Sequence, residues 1–335
     1  MLIKLLSEGG LSMNRKRIFY LLLIILMFCG IITSCKSSEP SWQDLHDKTA
    51  ETLSKNTEVN VGAVGGEWII IGLSQSDRLS EDMAMAYLKN TQDYVNSIGS
   101  NRLHEVKSTE NSRLILGITA AGGDPTDMGG YDLLSGLADM EYIKARGNNG
   151  PIWALIAFDC GGYAIPTNEN IENQVTREKL IEYLLSTQCV NGGWGFIEDS
   201  SDVNMTAMAL QALATYIEQE SIKSSVTSAL EFLSNQQNEQ GGFESHGTIN
   251  SESCAQVIVA LCSLVIDPLK DERFIKNGNT VLSALCNFAV EGGFCHQLDM
   301  KEADAMATEQ AFYALTSYYR FINGKSPLYD MKEIK

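Results

Sequence analysis

Polar side chains recur at the beginnings of three predicted helices in the second half of the chain. Pairs of them stand one helical turn apart and therefore share one helix face: Asp202 with Thr206, Glu252 with Gln256, and Asp304 with Thr308. Carboxylates, hydroxyls and amides in this arrangement can act as acids and bases, bind a polar ligand or cap the helix. Capping is the simplest role for the two aspartates. It explains less for Gln256, Glu309 and Gln310, which lie past the first turn.

The first of these segments can be compared with a motif for acid catalysis. Asp202-Val-Asn-Met-Thr-Ala207 is similar to the Asp-x-Asp-Asp-Thr-Ala motif of class II terpene cyclases, in which the middle Asp protonates an alkene or epoxide. The matching residue here is Asn204, followed by Met205. Because an amide cannot deliver that proton, cation-initiated cyclisation is not expected.

The second segment can be compared with a known set of zinc ligands. Glu252-Ser-Cys254 resembles the Asp-x-Cys zinc ligands of protein prenyltransferases, but the corresponding place in the last repeat, 305–308, contains no His. Two candidate ligands fall short of the three protein ligands of a catalytic zinc site. Cys254 is therefore expected in the core. We also find no nucleophile with a base and no glycine-rich phosphate loop after a strand, so we predict no catalytic residue and no metal.

Glycine turns position these segments. Gly192-Gly-Trp194, Gly241-Gly-Phe243 and Gly292-Gly-Phe294 each join two helical stretches and follow one another at intervals of about 50 residues. Glycine tolerates a positive φ and commonly ends helices. In such arrays each unit buries its apolar face only against its neighbours.

The apolar spacing predicts twelve helices in six pairs, and no segment alternates with the period of a strand. The first helices of the pairs are the more polar, at 42–55, 80–98, 131–140, 176–188, 223–237 and 271–288. The second are more apolar, at 67–73, 108–121, 152–159, 202–216, 252–266 and 304–319. Since helices that are apolar on most sides are buried, we predict an all-α (α/α)6 toroid with six inner and six outer helices. The toroid is expected to occupy 42–329, followed by a C-terminal tail at 330–335.

Two family resemblances accompany this fold. Gln188, Gly192 and Trp194 resemble the Gln-x-x-x-Gly-x-Trp motif of terpene cyclases and prenyltransferases, and Gln237, Gly241 and Phe243 repeat it with Phe for Trp. Five further segments resemble the α-domain of bacterial surface proteins related to transcobalamin and intrinsic factor: Gly65-Gly-Glu-Trp68, Gly129-Gly-Tyr-Asp-Leu-Leu134, Asn149-Gly-Pro-Ile-Trp-Ala-Leu155, Asp202-Val-Asn-Met-Thr-Ala207 and Ala307-Thr-Glu-Gln310.

The second resemblance implies a ligand. Members of that family hold a corrinoid between the toroid and a small β-domain, whereas this sequence stops where the toroid closes. It therefore implies cobalamin or a related corrinoid as candidate ligand, with a β-domain lid from a partner chain. The residues alone call for no cofactor.

In a toroid the inner-helix starts gather around one opening, which we call the mouth. A few polar groups among apolar side chains describe a small-molecule site, although each aromatic could equally be a core residue. The predicted ligand-binding set is Glu67, Trp68, Tyr131, Trp153, Tyr163, Trp194, Asp202, Asn204, Thr206, Glu252, Gln256, Thr308, Glu309 and Gln310.

The N-terminus resembles a bacterial lipoprotein signal peptide. Met13-Asn-Arg-Lys-Arg17 forms a basic region, 18–32 is apolar, and Ile32-Thr-Ser-Cys35 matches the lipobox. The resemblance implies cleavage after 34, a lipid on Cys35 and a polar tether over 35–41, which would hold the folded part outside the cytoplasm at the membrane surface. An uncleaved anchor is the alternative, and either Met1 or Met13 is the start.

Charge and cysteine content narrow the partners. With 25 Lys and Arg against 42 Asp and Glu, the net charge is −17, and this argues against a nucleic acid partner, which requires a basic face. Six cysteines beyond the signal segment are expected as buried free thiols, with a disulfide left open: Cys160, Cys189, Cys254, Cys262, Cys286 and Cys295.

Three functions therefore remain open. The first is a surface lipoprotein that binds a bulky small molecule at the toroid mouth without catalysis. The second is a protein-interaction module, half of a two-chain receptor. The third is an enzyme of this fold with a non-standard active site, which requires a carboxyl group of raised pKa in the cavity.

Overall fold

A computed structural model describes residues 40–55, 59–196 and 199–334. The predicted signal peptide, Cys35 and nearly all of the tether lie outside these residues. Within them, no helix is both long and apolar enough to cross a membrane.

Twelve α-helices follow one another in the described chain, largely where the apolar spacing predicts them. In chain order they are α1 Trp42–Ser54, α2 Glu67–Gln75, α3 Glu81–Ile98, α4 Ser108–Ala120, α5 Met140–Lys144, α6 Asn149–Cys160, α7 Arg177–Ser186, α8 Val203–Leu213, α9 Glu220–Gln236, α10 Ser251–Ser263, α11 Val281–Cys286 and α12 Ala305–Ile322.

The even-numbered helices form a closed ring. Each packs against the next, from α2 to α12, and α12 packs back against α2. These helices are buried on nearly all sides; in α6, for example, every residue from Gly150 to Phe158 is buried. The outer α3 buries only a stripe at four-residue spacing: Met83, Tyr87, Thr91 and Val95. The predicted all-α toroid, with six inner and six outer helices, is confirmed.

Side-chain caps start the inner helices at one end of the ring. Asp202 Oδ1 accepts from the Met205 N–H at 3.0 Å, and Asp304 Oδ1 accepts from the Ala307 N–H at 2.8 Å. Asn250 does the same for Ser253 at 2.8 Å. These caps satisfy N–H groups that have no partner within the helix, so the capping role expected of both aspartates is confirmed.

The prediction of the third outer helix at 131–140 is wrong. The chain there forms a short 3-10 turn at Ser135–Leu137 and then α5. Asp132 Oδ1 accepts hydrogen bonds from the N–H groups of Leu134 and Ser135. Such local bonds offer the backbone an alternative to the helix.

The sixth outer helix, predicted at 271–288, is also wrong over most of its length. A 3-10 turn at Glu272–Phe274 leads into a hairpin of β3 (Ile275–Lys276) and β4 (Asn279–Thr280), and only then does α11 begin. Asn277 and Gly278 both have positive φ, 51° and 81°. Asn-Gly is the typical pair for this hairpin turn. Two further two-stranded hairpins occur in the described chain, β1 (Glu244–Ser245) with β2 (Thr248–Ile249), and β5 (Ala289–Val290) with β6 (Gly293–Phe294).

The C-terminal segment covers the end of the ring at which the inner helices finish. Leu328, Tyr329 and Met331 are buried, and the Met331 N–H donates to the Cys160 carbonyl at 2.8 Å. Arg320 donates to the Gln75 carbonyl at 2.9 Å. Packing therefore continues past residue 329, where the sequence predicted a polar tail. We call this covered side the closed end.

Candidate functional site

The glycine turns are held by hydrogen bonds that repeat from one turn to the next. Gln188 Nε2 donates to the carbonyls of Gly192 at 2.7 Å and Ser225 at 2.9 Å, so it ties the turn to the next outer helix. Gln237 makes the matching bonds to the carbonyls of Gly241 and Phe274. These glutamines hold the repeat together.

A threonine four positions after the inner-helix cap holds the aromatic residue in two of the three glycine turns. The Trp194 N–H donates to Thr206 Oγ1 at 2.9 Å, and the Phe294 N–H donates to Thr308 Oγ1 at 2.9 Å. Trp194 is fully buried, and its indole N–H donates to the Leu184 carbonyl at 2.7 Å. The structure thus accounts for Trp194, Thr206 and Thr308 as parts of the turns, although the sequence predicted all three at the ligand.

Aromatic rings from several elements meet inside the ring of helices. The centroids of Trp68 and Trp153 lie 5.2 Å apart, and those of Trp68 and Tyr313 lie 5.9 Å apart. Tyr329 of the C-terminal segment packs edge-on against Trp153 at 5.9 Å. We call Trp68, Trp153, Tyr313 and Tyr329 the aromatic layer. Trp68 is half-buried, whereas the other three are buried, so Trp68 is the most exposed ring of the layer.

Amide side chains form a belt beside this layer. Gln211 Nε2 donates to Gln256 Oε1 at 3.0 Å, and Gln256 Nε2 donates to Tyr313 Oη at 2.5 Å and to Gln310 Oε1 at 3.1 Å. Tyr313 Oη in turn donates to Gln310 Oε1 at 3.0 Å. The belt joins α8, α10 and α12, and it brings together two predicted site residues, Gln256 and Gln310.

Two buried carboxyl groups stand at the starts of α2 and α12. Glu67 is fully buried: Arg113 Nη1 donates to its Oε2 at 2.9 Å, and Tyr87 Oη donates to its Oε1 at 3.2 Å. Glu309 is 2% exposed, and its Oε1 accepts from the Gly65 N–H at 2.8 Å. Its Oε2 has no hydrogen-bond partner in the described residues.

Both carboxyl groups bind protons unusually tightly. Burial raises the pKa of Glu67 to about 7, against the opposing effect of Arg113. Burial also raises the pKa of Glu309 to about 7, and the negative charge of Glu67 adds to the increase. A carboxyl group with a pKa near 7 can give or take a proton. Glu67 and Glu309 are, however, also hydrogen-bonded to the loop before α2, where they support the backbone.

The rim of the mouth carries a second polar group. Glu252 accepts from His296 Nδ1 at 2.8 Å, and Asp202 Oδ2 accepts from Ser245 Oγ at 2.7 Å. Asn204 Oδ1 is buried without a partner in the described chain. These predicted residues lie at the starts of α8 and α10, on the same end of the ring as Glu67 and Glu309.

Two predicted site residues lie elsewhere. Tyr163 follows the end of α6, and its hydroxyl is 2.8 Å from Thr119 Oγ1 near the end of α4. It therefore belongs to the closed end. Tyr131 lies in the loop after α4, with its hydroxyl near Gly99 at the end of the outer α3. It belongs to the outer layer.

An open cleft of about 840 Å³ lies at the mouth between the starts of α4 and α6. Its lining includes Lys107, Glu110, Arg146 and the exposed ring of Phe196. Glu110 also pairs with Arg113, which bonds Glu67. The cleft is thus connected to the buried carboxyl group of Glu67 through one arginine.

Sequence reasoning missed several residues of the mouth and of the ring interior. Gln211 lies seven residues after Asn204 in α8, two helical turns along the same face, so periodicity could have found it. Tyr313 similarly follows Gln310 by three residues. Arg113, His296 and Tyr329 gave no comparable signal. Within the described chain, no group of three His, Cys, Asp or Glu side chains is placed to hold a metal ion, and the six cysteines are free thiols.

Comparison with protein families identifies the repeat. A family model described as "Prenyltransferase alpha-alpha toroid domain" matches residues 145–328, more than half of the chain. The chain belongs to this family. A search of curated protein sequences finds no matching relative.

Solved structures with the same ring include different enzymes. The unsaturated glucuronyl hydrolase of Bacillus sp. GL1 is 11% identical, with a TM-score of 0.55 over 86% of this chain and 99% of that one. Protein geranylgeranyltransferase-I of Candida albicans is 13% identical, with a TM-score of 0.55 over 87% and 99%. A type II terpene cyclase of Scytonema is 12% identical, with a TM-score of 0.54 over 82% and 96%. At these identities the likeness establishes the toroid fold alone.

Proposed function

We propose that the mouth of this toroid binds a bulky small molecule without transforming it, and that a corrinoid is the candidate ligand. The proposal agrees with the resemblance to transcobalamin-like α-domains. One observation carries it: half-buried Trp68 contacts the tilted rings of Trp153 and Tyr313, directly beside a belt of glutamine amides.

The filling of the ring favours a ligand that rests on the mouth. Trp153, Tyr313 and Tyr329 occupy the interior below Trp68 and are all buried. An extended isoprenoid chain would need these rings to move apart. A broad, flat molecule can instead cover the mouth and contact Trp68 from above.

Polar groups around the mouth match the periphery of such a ligand. A corrin ring is apolar on its faces and carries amide groups at its edge, which both donate and accept hydrogen bonds. Asn204 Oδ1 and Glu309 Oε2 are acceptors without a partner in the described chain, and leaving such atoms buried and unpaired costs about 1–3 kcal/mol each. Small side-chain movements would bring them to a ligand.

The proposal includes no catalysis because two positions of this chain differ from the catalytic motifs of similar toroids. Asn204 occupies the place of the cyclase acid, and Cys254 lacks the histidine that would complete a zinc site. Glu67 and Glu309 have raised pKa values, but both support the loop before α2 through its backbone N–H groups.

A protein partner at the mouth is the second candidate, and a specific surface favours it. Large apolar side chains are exposed on the segments that precede five of the inner helices: Val64, Val106, Phe196, Ile249, Leu298 and Met300. Exposed apolar side chains commonly mark an interface when they form a patch. It would suit a lid chain that covers the bound ligand.

The N-terminal lipid would place the mouth in the extracytoplasmic space, held at the membrane surface through Cys35. Mass determination of protein purified from its own membranes tests this part of the proposal. A diacylglyceryl group on an N-terminal Cys35 supports it, and an unmodified chain that keeps residues 1–34 contradicts it.

Equilibrium dialysis of the full chain against cobalamin and cobinamide tests the ligand. The expected result is saturable binding of at least one corrinoid with one site per chain. Failure of both to bind at high micromolar concentration contradicts the corrinoid assignment. If the variants Val106→Asp and Phe196→Asp lose a co-purifying protein but keep corrinoid binding, this supports the proposed lid chain independently of the ligand.

A further inference from the structure

A second pocket lies at the closed end, on the opposite side of the ring from the mouth. It has a volume of about 220 Å³ and lies between the ends of α6, α8 and α10 and the C-terminal segment. This volume is several times the roughly 30 Å³ share of one liquid water, and it is smaller than the 300–1,000 Å³ typical of drug-sized ligands.

The pocket is lined by two buried side chains with unpaired polar atoms. Gln211 is 6% exposed and Tyr329 is 8% exposed, and both line the pocket. Gln211 Oε1 and the Tyr329 hydroxyl have no hydrogen-bond partner in the described residues. A buried polar group without a partner is costly, so a site that can pair both atoms stabilises the fold when it is occupied.

The charges around the pocket are already paired. Asp159 accepts from Arg177 Nε at 2.7 Å and from Tyr216 Oη at 2.8 Å. Asp330 lies 3.4 Å from Lys332 Nζ. Neither a free cation nor a free anion is therefore required in a ligand.

We infer that this closed-end pocket binds a small neutral polyhydroxylated molecule, of the size of one sugar ring. Hydroxyl groups both donate and accept, which suits Gln211 Oε1, the Tyr329 hydroxyl and the paired carboxylates of Asp159 and Asp330. The apolar wall of Ile156 and Ala212 would contact the C–H face of the ring. No part of this inference depends on the ligand at the mouth.

Two side chains that line the pocket also contact the amide belt and the aromatic layer, which lead to the mouth. Gln211 lines the pocket and bonds Gln256 in the amide belt. Tyr329 lines the pocket and packs on Trp153, which packs on Trp68. Binding at the closed end should therefore change the environment of a mouth tryptophan, which provides an optical readout.

The test uses calorimetry and saturation-transfer NMR on the full chain with glucose, galactose and N-acetylglucosamine. Methylammonium and inorganic phosphate serve as charged comparison probes. Thr215 lines the pocket and is exposed, so Thr215→Trp should fill the pocket without disturbing the core. Thr227→Trp, on the exposed face of α9, is the matched control.

The expected result is saturable binding of at least one sugar, at least tenfold weaker in Thr215→Trp and unchanged in Thr227→Trp. Tyr329→Phe, which removes only the unpaired hydroxyl, should fold normally and bind the sugar more weakly. The inference is overturned if no sugar binds the natural chain, if Thr215→Trp binds as well as the natural chain, or if only a charged probe binds.

Discussion

The backbone N–H of Trp194 donates to Oγ1 of Thr206 at 2.9 Å, across the turn that joins one repeat helix to the next. The same bond, at the same length, joins Phe294 to Thr308 in the last repeat. Because the hydroxyl also donates back toward the turn or the cap, it fixes the aromatic residue against the helix start.

Replacement of this hydroxyl should cost stability and leave binding intact. Thr206→Val leaves the buried N–H of Trp194 without an acceptor, which is expected to lower the free energy of unfolding by about 1–3 kcal/mol. Urea denaturation measures the change, with the exposed Thr227→Val as control. An unchanged unfolding midpoint, together with lost corrinoid binding, would return Thr206 to the ligand site where the sequence first placed it.

The buried carboxyl groups should make the protein more stable at mildly acidic pH. Glu67 and Glu309 have a pKa of about 7 in the folded chain against an ordinary value of 4.5. The folded chain therefore binds more protons than the unfolded chain between these values. The contribution is fully present below pH 4.5 and is lost as the pH rises through about 7.

Glu309→Gln isolates that contribution. The amide keeps an oxygen for the Gly65 N–H and removes the buried charge, so the variant should be about 1–2 kcal/mol more stable than the natural chain at pH 8. Its stability should also change less between pH 5 and pH 8. Thermal unfolding across this range gives both values, with the exposed Glu302→Gln as control. A variant profile parallel to that of the natural chain would show that Glu309 titrates normally.

The C-terminal segment should be part of the folding unit. Tyr329 is buried against Trp153, and removal of a buried aromatic ring costs about 3–5 kcal/mol. Tyr329→Ala should therefore unfold at clearly lower urea concentration than Tyr131→Ala, whose ring is half-buried in the outer layer. Equal midpoints for the two variants would indicate that the segment does not close the ring in solution.

The repeat made the fold predictable. Gly192-Gly-Trp194 and its two copies mark helix–helix turns, and the apolar content separates inner from outer helices. Prediction failed where local polar bonds replaced a helix, at Asp132, and where Asn277-Gly278 made a hairpin. The Asn-Gly signal was present in the sequence, but the apolar residues around it masked it.

The site was only partly predictable, for a related reason. Residues that recur between repeats, such as Thr206 and Thr308, hold the turns and do not line the centre. Trp68, Trp153 and Tyr329 have no counterparts in the other repeats and meet only because the ring closes. Contacts between residues so distant in the chain are not visible to periodicity. Gln256 and Gln310 were found because they occupy matching positions in two aligned repeats.

Equilibrium titration of the Trp68→Ala variant tests the central claim, that the mouth binds the ligand through the aromatic layer. Trp42→Ala is the matched control, since Trp42 is also half-buried and packs edge-on against another ring, Tyr318, at 5.0 Å. Loss of Trp68 should weaken cobinamide or cobalamin binding at least tenfold, about 1.4 kcal/mol, while Trp42→Ala binds as the natural chain does. Equal affinity in all three proteins would contradict a binding site at the mouth.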